Sequence, residues 1–158
     1  MNSVAPLFSL NDILLDLDLQ GKQELFETIG HLWEEQRGMP AADVANSLNA
    51  REKLGSTGLG QGVAIPHARV KSLIKAVAAF VRPKLPIEFD APDGEPVAYF
   101  FILLVPVQAT EEHLQILSEV AEMLSNAQFR EQLGVARTQD EILQLFAEWR
   151  GQTAGGSK

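Results

Sequence analysis

The sequence predicts an α/β (α+β) fold: a single domain in which a mixed β-sheet is flanked by helices on both faces. Three observations predict it. Two continuous apolar runs, "AVAAFV" and "VAYFFILLV", read as central strands covered on both sides, because a strand exposed on one face would alternate instead. Segments with apolar residues at helical spacing fall before, between and after the strands, which places helices on both faces of one sheet. The 158 residues match one ordinary domain, and no linker or internal repeat divides them.

The elements follow in order. From Gln20 to Arg37 the apolar residues Leu25, Phe26, Ile29, Leu32 and Trp33 recur as one helical stripe. Gly38 and Pro40 stop this helix and restart the chain. "PAADVANSLNAREKL" then reads as a second helix, with Pro40 at its entry and Gly55 just past its end. "GSTGLGQG" is a loop of turn formers, and the short apolar run "VAI" follows it. Between the two strong strands, "RPKLPIEFDAPDGEP" carries three prolines before Pro96 and an Asp-Gly pair, so it is mostly turn and loop. Thr110 is the candidate cap of a helix whose stripe is Leu114, Leu117, Val120, Ala121 and Leu124. A short amphipathic piece surrounds Phe129 and Leu133. "TQDEILQLFAEWR" is the last helix, opened by Thr138 and Asp140 and closed by Gly151. Residues 1–150 form the domain, and 151–158, "GQTAGGSK", read as a disordered tail.

Composition narrows the function. No cysteine occurs, which removes disulfides, thiolate catalysis and zinc–thiolate sites. The net charge of −8, from 21 acidic and 13 basic residues, argues against nonspecific binding of nucleic acid or an anionic membrane. It does not exclude a small anionic substrate, since one local positive site can outweigh the global field. The start, "MNSVAPLFSLNDILLDLDLQ", has neither a basic n-region nor an unbroken apolar run, so no signal peptide is read. The longest apolar run, "VAYFFILLVPV", falls well short of the ~20 residues a membrane helix needs. The chain is expected to be soluble and cytoplasmic, without membrane insertion. No G-x-S-x-G elbow, H-E-x-x-H pair or phosphate-binding P-loop occurs, and "GLGQGV" fails the dinucleotide fingerprint at its last glycine. The three histidines at 31, 67 and 113 are too scattered for a metal site, and neither metal nor cofactor is expected.

The histidines differ in character. His31 lies about 200° from the centre of its helix's apolar stripe by helical geometry and should face water. His67 follows Pro66 at the end of a short apolar run, where a stiff backbone holds it at a strand edge. Strand ends in open sheets are where ligand crevices form. The loop before it, with Gly55, Gly58, Gly60 and Gly62, lets backbone approach closely and can offer N–H groups to an anion. On this segment alone His67 either plugs the loop by hydrogen bonding or reacts. His113 sits in the first turn of the helix after the second strong strand, and both histidines can open onto one sheet edge. Arg51 falls within about 20–60° of its helix's inner face. A guanidinium there needs an anion: either Glu52 or a phosphate at His67.

From Arg51 to His67, "REKLGSTGLGQGVAIPH" resembles the enzyme IIA proteins of the bacterial phosphotransferase system, in the fructose/mannitol/nitrogen-regulatory superfamily. "PIEFDAPDGEPV" and "LLVPVQATEEHLQILSEVAEML" support the resemblance, which spans residues from about 10 to 149. The wording "GSTGLGQGVAIPHARV" and "FDAPDGEPV" looks most like the nitrogen-regulatory branch. The resemblance implies a phosphocarrier in which His67 accepts a phosphoryl group from an HPr-type protein, on Nε2, with His113 and Arg51 supporting it. Loop amides around Ser56 and Thr57 are candidate phosphate contacts. It implies regulation of target proteins by phosphorylation state, with potassium-transport and sensor-kinase systems among the family's targets. Two alternatives stand beside it: a stand-alone transport IIA that passes its phosphate to a IIB domain, and a binding module that no longer carries phosphate.

Overall fold

In a computed structural model, residues 2–71, 73–108 and 111–150 are described. Two single-turn 3-10 helices, Ala5–Leu7 and Leu10–Asp12, lead into β1 (Ile13–Leu17). Then come α1 (Lys22–Arg37), α2 (Ala41–Lys53), β2 (Gly58–Gly60), β3 (Val63–Ala64) and β4 (His67–Val70). β5 (Val77–Pro83), β6 (Tyr99–Pro106), α3 (Glu111–Ser125), α4 (Ala127–Val135) and α5 (Gln139–Glu148) complete the order.

The two long apolar runs become β5 and β6, antiparallel neighbours in the middle of the sheet, with Val77 opposite Leu104 and Val81 opposite Phe100. β1 adds in parallel to β5. The far edge of β6 takes two strands in succession, β3 and then β4, both parallel to it. β2 closes that end of the sheet by pairing with β3. Six strands result, in the mixed orientation that the sequence predicts.

Alternation along the strands supplies two cores. Ala79, Val81, Phe100, Ile102 and Leu104 face α1 and α2, where they meet Phe26, Ile29, Trp33, Val44 and Leu48. Ala78, Phe80, Phe101, Leu103 and Val105 face the other way, against Ile116, Val120 and Met123 of α3, Phe129 of α4 and Phe146 of α5. Each fully buried side chain of this size contributes roughly 1.5–3 kcal/mol by leaving water. Local signals set the helix ends. Gly38 ends α1 in a left-handed conformation at φ 71°, which a glycine adopts without steric cost. Asn126 accepts the amide of Phe129 at the start of α4, and Thr138 with Glu141 forms a reciprocal capping box on α5.

The elements depart from the sequence reading in three places. The N-terminal stretch, to which no element was assigned, contains β1. The segment "GSTGLGQG", expected to be loop, contains β2, and Gln61 and Gly62 turn it back into β3 with φ of 60° and 79°. Positive φ at both central positions matches the twist of a two-residue hairpin. Leu114, assigned to the buried stripe of α3, is 66% exposed; Ile116 takes the inward position instead. The last helix ends at Glu148, while its expected stop at Gly151, the tail 151–158 and the cap Thr110 lie outside the described residues.

Candidate functional site

His67 opens β4 rather than following the "VAI" strand, because Ile65 and Pro66 interrupt the edge between β3 and β4. The interruption has a chemical result. The carbonyl oxygen of Ile65 lies 2.8 Å from Nδ1 of His67. A carbonyl can only accept, so Nδ1 carries the proton and Nε2 keeps its lone pair. Burial, the largest influence, pushes the imidazole below its usual pKa of 6.5, and the positive charge of Arg51 adds to that direction. The Ile65 hydrogen bond and the charge of Glu52 act in the opposite sense without reversing it. The ring is therefore a neutral imidazole with a fixed tautomer at neutral pH.

His67 lines a cavity of about 520 Å³. On β4, Ala68 and Val70 are buried in the α1–α2 core, so the alternation of a strand turns His67 and Arg69 to the opposite face. Leu103 and Val105, their register partners on β6, belong to the core on that face and line the cavity beside them. The last turns of α2 bring Arg51 and Leu54 to one side, and the first turns of α3 bring His113 and Leu114 to the other. Three of the five sequence candidates, His67, His113 and Arg51, thus share one site. Arg51 donates from Nη1 to the carbonyl of Gly55 at 2.9 Å, which steadies the guanidinium at the end of its helix.

Glu52 is not the partner of Arg51. It turns inward, 7% exposed, and accepts hydrogen bonds from the Thr57 amide at 2.9 Å and the Thr57 hydroxyl at 2.7 Å. Lys22 approaches it at 3.8 Å and also pairs with Asp90 at 3.3 Å. Thr57 therefore has both its amide and its hydroxyl engaged. The Ser56 hydroxyl donates to the Phe89 carbonyl and accepts the Gly58 amide, each at 3.0 Å. Ser56 and Thr57 do not line the cavity that holds His67; their polar groups hold the loop that follows α2. His31 is exposed, as its helical position predicts.

Sequence reasoning passed over Arg69 and Leu54 as site residues and placed Leu114 in the core. Arg69 was discoverable from strand periodicity, since it stands two residues after His67. Leu54 and Leu114 are 85% and 66% exposed and give the cavity an apolar rim. Among the described residues no group of three or more histidine, aspartate or glutamate side chains is placed to hold a metal ion. No helix among them is long and apolar enough to cross a membrane.

The chain is similar to known proteins in sequence and in fold. Residues 6–149 match the family model described as "Phosphoenolpyruvate-dependent sugar phosphotransferase system, EIIA 2". The nitrogen regulatory protein of Pseudomonas aeruginosa is 42% identical over 130 residues, covering 80% of this chain and 83% of that one. The crystal structure of nitrogen regulatory protein IIA-Ntr from Neisseria meningitidis superposes with a TM-score of 0.86 at 47% identity, over 89% of this chain and 97% of that one. The complex of enzyme IIAMTL and phosphorylated enzyme IIBMTL from Escherichia coli matches at TM-score 0.75 and 20% identity, over 90% of this chain and 98% of that one. At that identity the likeness is one of fold.

Proposed function

We propose, on the premise that the chain belongs to the EIIA 2 family of the phosphoenolpyruvate-dependent sugar phosphotransferase system, that it is a regulatory phosphocarrier whose acceptor is His67. The observation that carries the reading is the hydrogen bond from Nδ1 of His67 to the Ile65 carbonyl, 2.8 Å long. It leaves Nε2 as an unprotonated nucleophile on a ring that the cavity holds in place. Likeness to nitrogen regulatory proteins favours regulation over sugar transport. The phosphocarrier domain spans residues 1–150, and the protein works in the cytoplasm.

The transfer needs little bond chemistry from the protein and much positioning. A phosphohistidine on an HPr-type donor presents its phosphorus to the cavity. The Nε2 lone pair of His67 forms the new N–P bond in line with the bond that breaks. The electron pair of the broken bond returns to the donor ring, which leaves as neutral imidazole because its other nitrogen is protonated. No proton has to leave His67 first. Arg51 offsets charge on the phosphoryl oxygens, and His113 faces the same group from the start of α3. Ser56 and Thr57 serve through the loop they hold with Glu52.

Phosphorylation places a phosphoryl group carrying about −1.5 to −2 charges beside an apolar rim formed by Leu54 and Leu114. A target that docks on that rim is released or recruited by charge alone, with no change of fold. The targets in this reading are regulatory proteins, with potassium-transport and sensor-kinase components as the candidate classes. The deciding experiment is intact-mass analysis after incubation with a phosphoenolpyruvate-charged HPr-type donor, alongside His67→Ala. One acid-labile phosphate on the wild type alone is the expected result. An unlabelled wild type, with a donor proven active on another acceptor, would leave only the reading as a binding module.

A further inference from the structure

We infer that Arg69 is a second phosphate-binding residue: its guanidinium swings onto the phosphoryl group once His67 is modified and holds the phosphorylated form. The inference rests on the phosphocarrier reading of His67 and deepens it.

Four observations place Arg69 there. It lies two residues beyond His67 on β4, so both side chains leave the same face of the strand, with their origins about 7 Å apart at ordinary strand rise. It lines the same cavity as His67 and Arg51. Its register partner, Val105, and that of His67, Leu103, make an apolar floor that offers no counter-charge. Among the described residues its side chain makes no hydrogen bond or ion pair, unlike Arg37 and Arg82, which are tied to Asp12 and Asp16. Arg51 is held back by Gly55 through Nη1.

The chemistry gives the two arginines different duties. Arg51 is already oriented before transfer and lowers the pKa of His67. In the unmodified protein the Arg69 side chain has no ion-pair partner among the described residues. A phosphoryl group on Nε2 supplies the anion that Arg69 lacks, and a planar guanidinium matches phosphate oxygens in a two-pronged contact. Arg69 thus acts on the product more than on the acceptor. Its contribution is a longer-lived phosphohistidine and an equilibrium drawn toward the phosphorylated state.

The test uses the full chain as wild type, Arg69→Gln and Arg69→Lys. Each is phosphorylated by two donors: a charged HPr-type protein, which must dock, and phosphoramidate, which need not. The readouts are the phosphorylated fraction at equilibrium and the half-life of the phosphohistidine after donor removal. With both donors Arg69→Gln should lower fraction-to-free ratio and half-life by about three- to tenfold, the scale of one charge-assisted contact open to solvent. Arg69→Lys should restore part of the loss. A deficit confined to the protein donor would overturn the inference, because Arg69 would then serve docking. Equal ratios and half-lives in all three proteins would also overturn it while leaving His67 as acceptor. A wild type that takes no label from either donor would remove the phosphocarrier reading, and this inference with it.

Discussion

The carbonyl oxygen of Ile65 stands 2.8 Å from Nδ1 of His67, two residues along the chain. Backbone thus decides the tautomer of the side chain, and no second residue has to be kept in register for that purpose. The short break in the sheet edge between β3 and β4 is what turns this carbonyl toward the ring rather than into a strand ladder.

The first prediction concerns pH. His67 has its pKa lowered from 6.5, chiefly by burial, and protonation removes the Nε2 lone pair. Labelling by phosphoramidate should therefore fall as pH drops through a midpoint below 6.5 and be level across neutral pH. The unfolded chain takes up the proton first, so between that midpoint and 6.5 it holds more protons than the folded one. The stability linked to this group is complete above 6.5 and is lost as pH falls to the folded-state value. A labelling midpoint above 6.5 would contradict the assignment of burial as the leading influence.

Arg51→Ala should slow transfer to His67 on the order of 10²-fold, as loss of one aimed positive donor does elsewhere. The circular dichroism spectrum should stay that of the wild type, because the side chain lies on the cavity side of α2. The same variant should raise the His67 pKa, since the guanidinium lowers it; a ring-proton NMR titration reads the shift. An unchanged rate would remove Arg51 from the site.

Thr57→Val keeps the shape of the side chain and deletes the hydroxyl that Glu52 accepts at 2.7 Å. Glu52 is buried, and a carboxylate oxygen left short of a donor costs about 1–3 kcal/mol. Urea unfolding should show the midpoint lowered with the slope unchanged. A midpoint equal to the wild type would mean that Lys22 and the backbone amide of residue 57 satisfy Glu52 without the hydroxyl.

Leu114→Ala should leave stability within about 0.5 kcal/mol, as expected of an exposed position. The KM for a protein donor should rise, while labelling by phosphoramidate stays the same. Equal loss with both donors would place Leu114 in the chemistry instead of on the docking rim.

The sequence made the centre of the molecule legible and its edges obscure. β5 and β6 were readable because strands buried on both faces need unbroken apolar runs, α1 carried an apolar stripe, and α1, α2 and α5 carried start or stop signals at their ends. β1 and β2 were not, since each is defined by its partner: "ILLDL" is short and interrupted by an acid, and Gly58–Gly60 has no side chain but that of Leu59 to advertise a strand. At the site, His67, His113 and Arg51 could be picked out by residue type and neighbours. Their convergence could not, because it depends on β4 and β6 running parallel. Leu114 misled for a physical reason: an apolar residue at helical spacing signals burial, yet this one faces the cavity mouth. Ser56 and Thr57 were expected at phosphate, and the inward turn of Glu52 explains why Thr57 is engaged elsewhere.

Arg51 and Glu52 are consecutive, yet one points to the cavity beside His67 and the other to the loop. Neighbouring residues on a helix differ in bearing by about 100°, and that single step separates the two duties. Val44 and Leu48, packed in the core, clamp the helix against rotation. Removing one residue between Leu48 and Arg51 would therefore carry the carboxylate to the cavity bearing of Arg51 and shift the guanidinium to the bearing of Ala50. Adding one would drive the guanidinium into the place of the carboxylate. The same composition, displaced by one position, would bring a carboxylate toward the acceptor or leave it without its guanidinium. The charge sign of this site is thus written in a count of residues along one turn.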